Sequence, residues 1–279
     1  MSQQRPLPTL AELAPGARRN HVTIVRPAGN AHSLERALAV EMPIAIEYNG
    51  IGYAVMMASP DALEDFALGF SLSERIIASR HDVSEIEIIA AAQGLILRIQ
   101  IADHLKPKLI ARARQRVSEG SCGLCGLENL EQVMRPLAPI RSDLRIGQRA
   151  IFAALQSFRA FQPLNRDTGA VHGAAFCTPS GEIILAREDV GRHNALDKLI
   201  GALAAREIAP ASGFFLLSAR CSYELVEKTI IAGCPVLVTI SAPTTLASDR
   251  AKAHDLTLVA LARADAILVI TDSAARIIP

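Results

Sequence analysis

The chain has 279 residues, half of them apolar and a fifth charged, with a formal net charge of +1. That is enough apolar material for one large or two medium domains with a sizeable core, and it excludes wholesale disorder. The charge balance makes no global case for nucleic acid or a membrane surface, and five cysteines, three of them scattered, suit a reducing cytosol rather than a disulfide framework.

Residues 1–20 read as a flexible polar arm containing Pro6, Pro8 and Pro15. Arg18-Arg19 leads only to the short run Val22-Thr23-Ile24-Val25, which is no signal-peptide core. No apolar run reaches membrane-spanning length free of charges or turn residues, so a cytoplasmic protein with no membrane or nucleic-acid partner is expected.

Residues 21–117 read as an N-terminal α+β lobe. Met42–Glu47 and Ile51–Met57 are predicted strands joined at Asn49-Gly50, a hairpin signal because both residues accept positive φ. Ser59-Pro60-Asp61 is predicted to open a helix, with Ser59 as its cap and Leu63, Phe66, Ala67 and Phe70 as its buried stripe. A second hairpin, Glu85–Ala90 with Leu95–Ile101, turns near Gln93-Gly94. From Lys106 to Arg116 there are five basic residues, and an extended chain would place Arg112, Arg114 and Arg116 on one face. That face reads equally as a solvated edge strand and as an anion-attracting wall.

Residues 118–147 form a loop and linker around Gly120-Ser121-Cys122-Gly123-Leu124-Cys125-Gly126. The glycines permit close backbone approach and leave both sulfurs without bulky neighbours, while nearby arginines favour the thiolate. A closed zinc site wants a second ligand pair, and the deaminase signature of H-x-E with P-C-x-x-C is missing, so no metal is assigned. A thioredoxin-type exchanger would carry its CxxC after a buried strand, whereas a polar, basic segment precedes Cys122. What remains is a mobile thiol that carries something, most simply sulfane sulfur as a persulfide.

Residues 148–279 alternate strands and helices, as a parallel-cored sheet covered by helices would. Glu188–Lys198 is the densest polar stretch. Asn194 is expected to cap a helix with Asp197 completing a capping box, which leaves Arg192 and His193 where helix N–H groups favour an anion. The alternative is that these polar residues only cap the helix and pair with one another. Ser218–Arg220, Ser241–Thr245 and Arg263 fall at strand ends, where such sheets bind ligands.

Taken together, these motifs resemble one family, the formate dehydrogenase accessory sulfurtransferases called FdhD. The resemblance runs from Glu41 onward. It is carried by Glu41-x-Pro43 with Asn49-Gly50; Leu68-Gly69-Phe70 with Glu74-x-Ile76-Ile77; Ser121-Cys122-Gly123-x-Cys125-Gly126; Thr168-Gly169-x-x-His172; the Glu188–Lys198 run; and Ser241-Ala242-Pro243-Thr244. It implies an α/β chain in two parts, with a cytidine-deaminase-like α/β/α domain and a mixed sheet in the C-terminal part. It implies a homodimer that takes sulfur from a cysteine desulfurase and passes it to Mo-bis(molybdopterin guanine dinucleotide), or its tungsten counterpart, bound as substrate on the way to a formate dehydrogenase catalytic subunit. By the same resemblance Cys122 carries the persulfide, Cys125 is its companion, and Leu261, Ala262, Arg263, Ala264, Asp265 and Ala266 form the cofactor-binding stretch. The family usually opens that stretch with an aromatic residue and follows its arginine with glycine, where this chain has Leu261 and Ala264. A non-enzymatic chaperone that only binds the cofactor and docks the dehydrogenase is the alternative of a different class.

Overall fold

The computed structural model describes residues 13–27, 29–107, 109–111 and 136–279. Cys122, Cys125 and the Arg112, Arg114, Arg116 series lie outside the described residues. Lys106, Pro107 and residues 109–111 are helical.

The first half contains strands β1 (Ala17–Val25), β2 (Ala31–Ala39), β3 (Met42–Tyr48) and β4 (Ile51–Ala58), helix α1 (Leu63–Ser73), and strands β5 (Val83–Ala91) and β6 (Gly94–Ile101). The expected hairpins are present within a four-stranded sheet of order β4-β3-β6-β5, in which β3 and β6 run parallel and the other pairs antiparallel. The inward set Ile44, Ile46, Tyr48, Leu97 and Ile99 is fully buried and packs on Phe66, Ala67 and Phe70 of α1. The arm expected over residues 1–20 is partly strand: Ala17–Asn20 belong to β1, which pairs along its length with β2. No clean alternation of apolar residues marks this ribbon, since only Ala37 of β1 and β2 is buried.

Helix α1 corrects one expected cap. It starts at Leu63 rather than after Ser59, with Ala62 in the left-handed region at φ 47°. The reason is that Ser59 is engaged by the C-terminal half. Its N–H donates to Asp189 Oδ2 at 2.9 Å, its Oγ accepts from the Val190 N–H at 3.1 Å, and its carbonyl accepts from Lys198 Nζ at 3.0 Å.

The second half contains β7 (Ile146–Gly147), α2 (Gln148–Phe158), α3 (Pro163–Thr168), β8 (His172–Cys177), β9 (Ile183–Asp189), α4 (Arg192–Ala205), β10 (Phe214–Leu217), α5 (Tyr223–Ala232), β11 (Val236–Thr239), α6 (Thr245–Ala253), β12 (Thr257–Ala260), β13 (Leu268–Thr271) and β14 (Ile277–Ile278). Its sheet has the order β13-β12-β11-β10-β8-β9; β10, β11 and β12 are parallel, and β8, β9 and β13 run against their neighbours. This is the mixed sheet expected. Leu196, Leu199 and Leu203 of α4, with Leu225 of α5 and Ala251 of α6, cover one face. Ile151, Ala154 and Phe158 of α2 cover the other. Residues expected in the linker are tied to this half: β7 pairs with β14, and the Ile140 N–H donates to the His254 carbonyl at 2.9 Å.

The two halves meet where α1 crosses α4, and both helices place glycine at the crossing. A Cβ on Gly69 would overlap the Asp197 carbonyl, and one on Gly201 would overlap the Asp65 carbonyl and stand 2.7 Å from the Gly69 nitrogen. The backbones therefore touch directly. Helix propensity alone would make Gly201→Ala stabilising by about 1 kcal/mol. The collision reverses that sign, because close-packed backbones have no side chain to move aside. Gly201→Ala is expected to lose roughly 1–3 kcal/mol in urea unfolding; a stabilised variant would mean that the crossing is looser than described.

Candidate functional site

The polar run that ends β9 and opens α4 divides into two sets. Most of it is framework. The Glu188 carboxylate accepts the backbone N–H groups of Leu164 and Asn165, each at 2.8 Å, and so holds the start of α3. Burial raises its pKa, and those two N–H groups oppose the shift. Asp189 Oδ1 accepts from the Gly191 N–H at 2.7 Å and from Asn194 Nδ2 at 3.0 Å, while Asp189 Oδ2 pairs with Lys198 Nζ at 2.7 Å. Both side chains of that ion pair are 0% exposed. Lys198 Nζ also donates to Asp61 Oδ1 at 3.0 Å and to the Glu188 carbonyl at 3.4 Å.

The expected capping box is corrected here. The N-cap of α4 is Gly191, with no side-chain cap bond, and Asn194 lies inside the helix. Its Nδ2 donates to the Met57 carbonyl at 2.9 Å, and Asp197 accepts from Lys228 Nζ at 2.8 Å through both oxygens. Tertiary partners outbid the local cap.

Arg192 and His193 form the second set, at the first two positions of α4. His193 Nε2 lies 3.3 Å from Ser222 Oγ and 3.4 Å from Glu224 Oε2, which brings the N-terminus of α5 against that of α4. Arg192 Nε is buried without a hydrogen-bond partner. His172, at the start of β8, is near enough to Arg192 and Arg220 for both cations to disfavour its protonation. Burial is the main cause that holds His172 and His193 below the usual imidazole value of 6.5, with the Arg192 cation next. At neutral pH the cluster thus offers two uncharged imidazoles, two guanidiniums and two helix N-termini against the one carboxylate of Glu224, a balance that suits an anion. His172, Ser222 and Glu224 were not singled out by sequence as site residues; the only hint was His172 in Thr168-Gly169-x-x-His172.

The Leu261–Ala266 stretch is the turn between β12 and β13. Leu261 has φ 47°, its N–H donates to the Ser241 carbonyl at 3.2 Å, and the Ala262 N–H donates to the Thr239 carbonyl at 3.1 Å. Ala262 is buried, whereas Arg263, Ala264, Asp265 and Ala266 are exposed, with the Arg263 N–H closing the turn on the Ala266 carbonyl at 2.9 Å. The ends of β9, β10, β11 and β12 share one edge of the sheet, so Arg192 with His193, Ser218, Ser241 and Arg263 all lie along it. Four strand spacings separate β9 from β12, roughly 19 Å at about 4.8 Å each. The two expected binding stretches therefore share an edge but do not touch.

Cys177, Cys221 and Cys234 are all buried free thiols. Burial pushes Cys221 and Cys234 up to about 12 and raises Cys177 as well, so all three stay protonated at neutral pH. Among the described residues no group of three or more His, Cys, Asp or Glu side chains could hold a metal ion, and no helix is long and apolar enough to cross a membrane.

The family model described as FdhD/NarQ family matches residues 39–278. The chain is 43% identical over 234 residues to Sulfur carrier protein FdhD of Variovorax paradoxus (strain S110), covering 84% of each. It is 47% identical over 232 residues to Sulfur carrier protein FdhD of Cupriavidus necator, covering 83% of this chain and 81% of that protein. A crystal structure from Desulfotalea psychrophila, provisionally described as a formate dehydrogenase accessory protein, superposes with a TM-score of 0.74 at 25% identity, over 95% of this chain and all of that one.

Two outcomes are expected of this cluster. Lys198→Met leaves the buried Asp189 carboxylate without its cation and should cost about 3–5 kcal/mol in denaturant unfolding; a loss under about 1 kcal/mol would mean that water reaches the pair. The imidazole resonances of His172 and His193 should titrate with midpoints below 6.5 in NMR. Their folded pKa values are depressed, so the unfolded chain binds more protons once pH drops below 6.5, and stability falls with it. His193→Gln should flatten that slope, and an unchanged slope would clear His193 of it.

Proposed function

The chain belongs to the FdhD/NarQ family, and from that we propose that it works as a sulfur carrier in the service of a formate dehydrogenase. Cys122 is the carrying thiol. Its thiolate attacks the outer sulfur of a persulfide on a cysteine desulfurase, a new S–S bond forms on Cys122, and the donor's thiol leaves with no net change of oxidation level. Cys125 is the companion that can receive or resolve the sulfur. The acceptor is the molybdenum or tungsten bis(pterin guanine dinucleotide) cofactor, bound as substrate.

The observation that carries this reading is the Cys122-Gly123-Leu124-Cys125 pair set between glycines, in a chain whose other three cysteines are buried and held protonated. A sulfur acceptor has to be a thiolate that a partner can reach. The cationic sheet edge supports an anionic, elongated acceptor, with the Arg263 turn for one nucleotide end and Arg192 with His193 further along. A homodimer fits a ligand with two guanine halves. The edge strand β13 supports a protein contact by exposing Leu268 and Val269, each about half open to solvent.

The decisive experiment incubates the protein with cysteine and a cysteine desulfurase and looks by intact-mass and peptide analysis for an added sulfur. The expected adduct sits on Cys122 or Cys125 and transfers to the cofactor. Its absence while cofactor binding persists would select the non-enzymatic chaperone instead. Cys122→Ala should fold and bind nucleotide normally yet leave cells that carry only this variant without formate dehydrogenase activity; retained activity would remove Cys122 from the carrier role. Arg263→Ala should weaken guanine-nucleotide binding roughly tenfold or more, the loss of a charge-assisted hydrogen bond, and unchanged calorimetric binding would take Arg263 out of the site.

A further inference from the structure

Where α1, α4 and α5 end, they border a cavity of about 420 Å³, within the range that small-molecule sites occupy. Its walls are apolar and come from both halves: Leu72 and Ile77 from the end of α1 and the turn after it, Ile200 and Ala204 from α4, Ile208 from the segment that follows, and Ile231 from α5. The cavity is separate from the sheet edge described above. Helix α4 carries Arg192 at its first position and Ala204 here, roughly 18 Å further along at about 1.5 Å per residue. The three helix ends need nothing from a ligand, because the chain that follows each already closes it: the N–H groups of Arg75, Ile208 and Gly233 donate to the carbonyls of Leu72, Leu203 and Ile230.

Arg75 also lines the cavity, and two observations set it apart. Its φ is 57°, in the left-handed region, one position past the C-cap Glu74, where helices place glycine because a side chain is disfavoured. Arg75 is exposed, and among the described residues no carboxylate pairs with it. The charges on either side are already engaged. Glu74 Oε2 accepts from the Tyr53 hydroxyl at 3.5 Å, Glu207 pairs with Arg80 at 3.5 Å, and Arg206 folds back on the Ala202 carbonyl at 3.0 Å. An arginine held in a conformation suited to glycine, with its guanidinium left over, is a backbone outlier of the kind that clusters at ligand sites.

We propose that this cavity binds a small molecule with an apolar body and a single carboxylate head, a medium-chain fatty acid, with its chain against the apolar walls and its head on the Arg75 guanidinium. The planar guanidinium fork matches a carboxylate, and the aliphatic walls match an acyl chain. A phosphate ester fits less well, because its second negative charge would face three helix C-termini with one cation to offset it. An amine head would meet Arg75 as a like charge. Since the walls come from both halves, binding links the two and raises the unfolding midpoint.

The test titrates octanoate, octanol, octylamine and acetate into the full chain by calorimetry and follows the thermal unfolding midpoint. Octanoate should bind and raise the midpoint. Octanol should bind roughly tenfold or more weakly for want of the charge-assisted pair, and octylamine and acetate should not bind. Arg75→Gly should bring octanoate down to the level of octanol, while the unliganded variant unfolds at the same or a higher temperature because glycine suits the left-handed position. Ala232→Leu, which fills the cavity, should weaken octanoate and octanol alike. Octanol or octylamine binding as tightly as octanoate, or octanoate binding unchanged in Arg75→Gly, overturns the proposal even if Ala232→Leu does not fold. An Arg75→Gly protein that loses stability yet keeps octanoate assigns Arg75 to the helix dipole instead. No octanoate binding by the wild-type protein rejects the site.

Discussion

A lysine ammonium held wholly out of water is stable only while oxygen acceptors surround it, and Lys198 draws its acceptors from separate segments of the chain. Asp189 ends β9, Ser59 and Asp61 belong to the loop that leaves β4, and the Glu188 carbonyl closes the set. The loop after β4 cannot leave β9 without stranding the charge. The glycine crossing of α1 and α4 makes this reach possible, because backbones in direct contact bring the loop against the end of the sheet. The N-terminus of α4 is thus fixed from both halves of the protein, and Arg192 and His193 inherit their positions from it.

Around that anchor the polar residues divide by what they touch. Glu188, Asp189, Asn194, Asp197 and Lys198 are buried and matched to partners, so they hold shape. Arg192, His193, His172 and Arg220 lie at the same strand ends, only partly buried or exposed, and set the electrostatic character of the edge. The Leu261–Ala266 turn occupies the far end of that edge. A ligand that engaged both would have to be long, which is a more demanding requirement than either cluster makes alone.

Hydrophobic pattern carried the sheet. The apolar runs of β10 and β11 and the stop at Gly233, with φ 76°, lie where continuous apolarity and a left-handed glycine predict them. It failed for β1 and β2, whose faces are largely wet. Local capping rules failed at Ser59 and Asn194 for a shared reason: each side chain found a partner more than a hundred residues away, and no window of sequence contains such a partner. The Glu188–Lys198 run was legible as important, with framework as one of its two readings, but the partners of each residue were not. Cys122 and Cys125, singled out by their chemistry, lie outside the described residues.

The three buried thiols bear on sulfur economy. A sulfane sulfur passes to whichever accessible thiolate meets it first, so a protein that ferries one risks becoming its own acceptor. Cys177, Cys221 and Cys234 are screened from that exchange twice, by packing that denies approach and by protonation that removes the nucleophile. For the sulfur carrier proposed above, the described interior is thus chemically deaf to the cargo, since none of these three thiols competes as an acceptor.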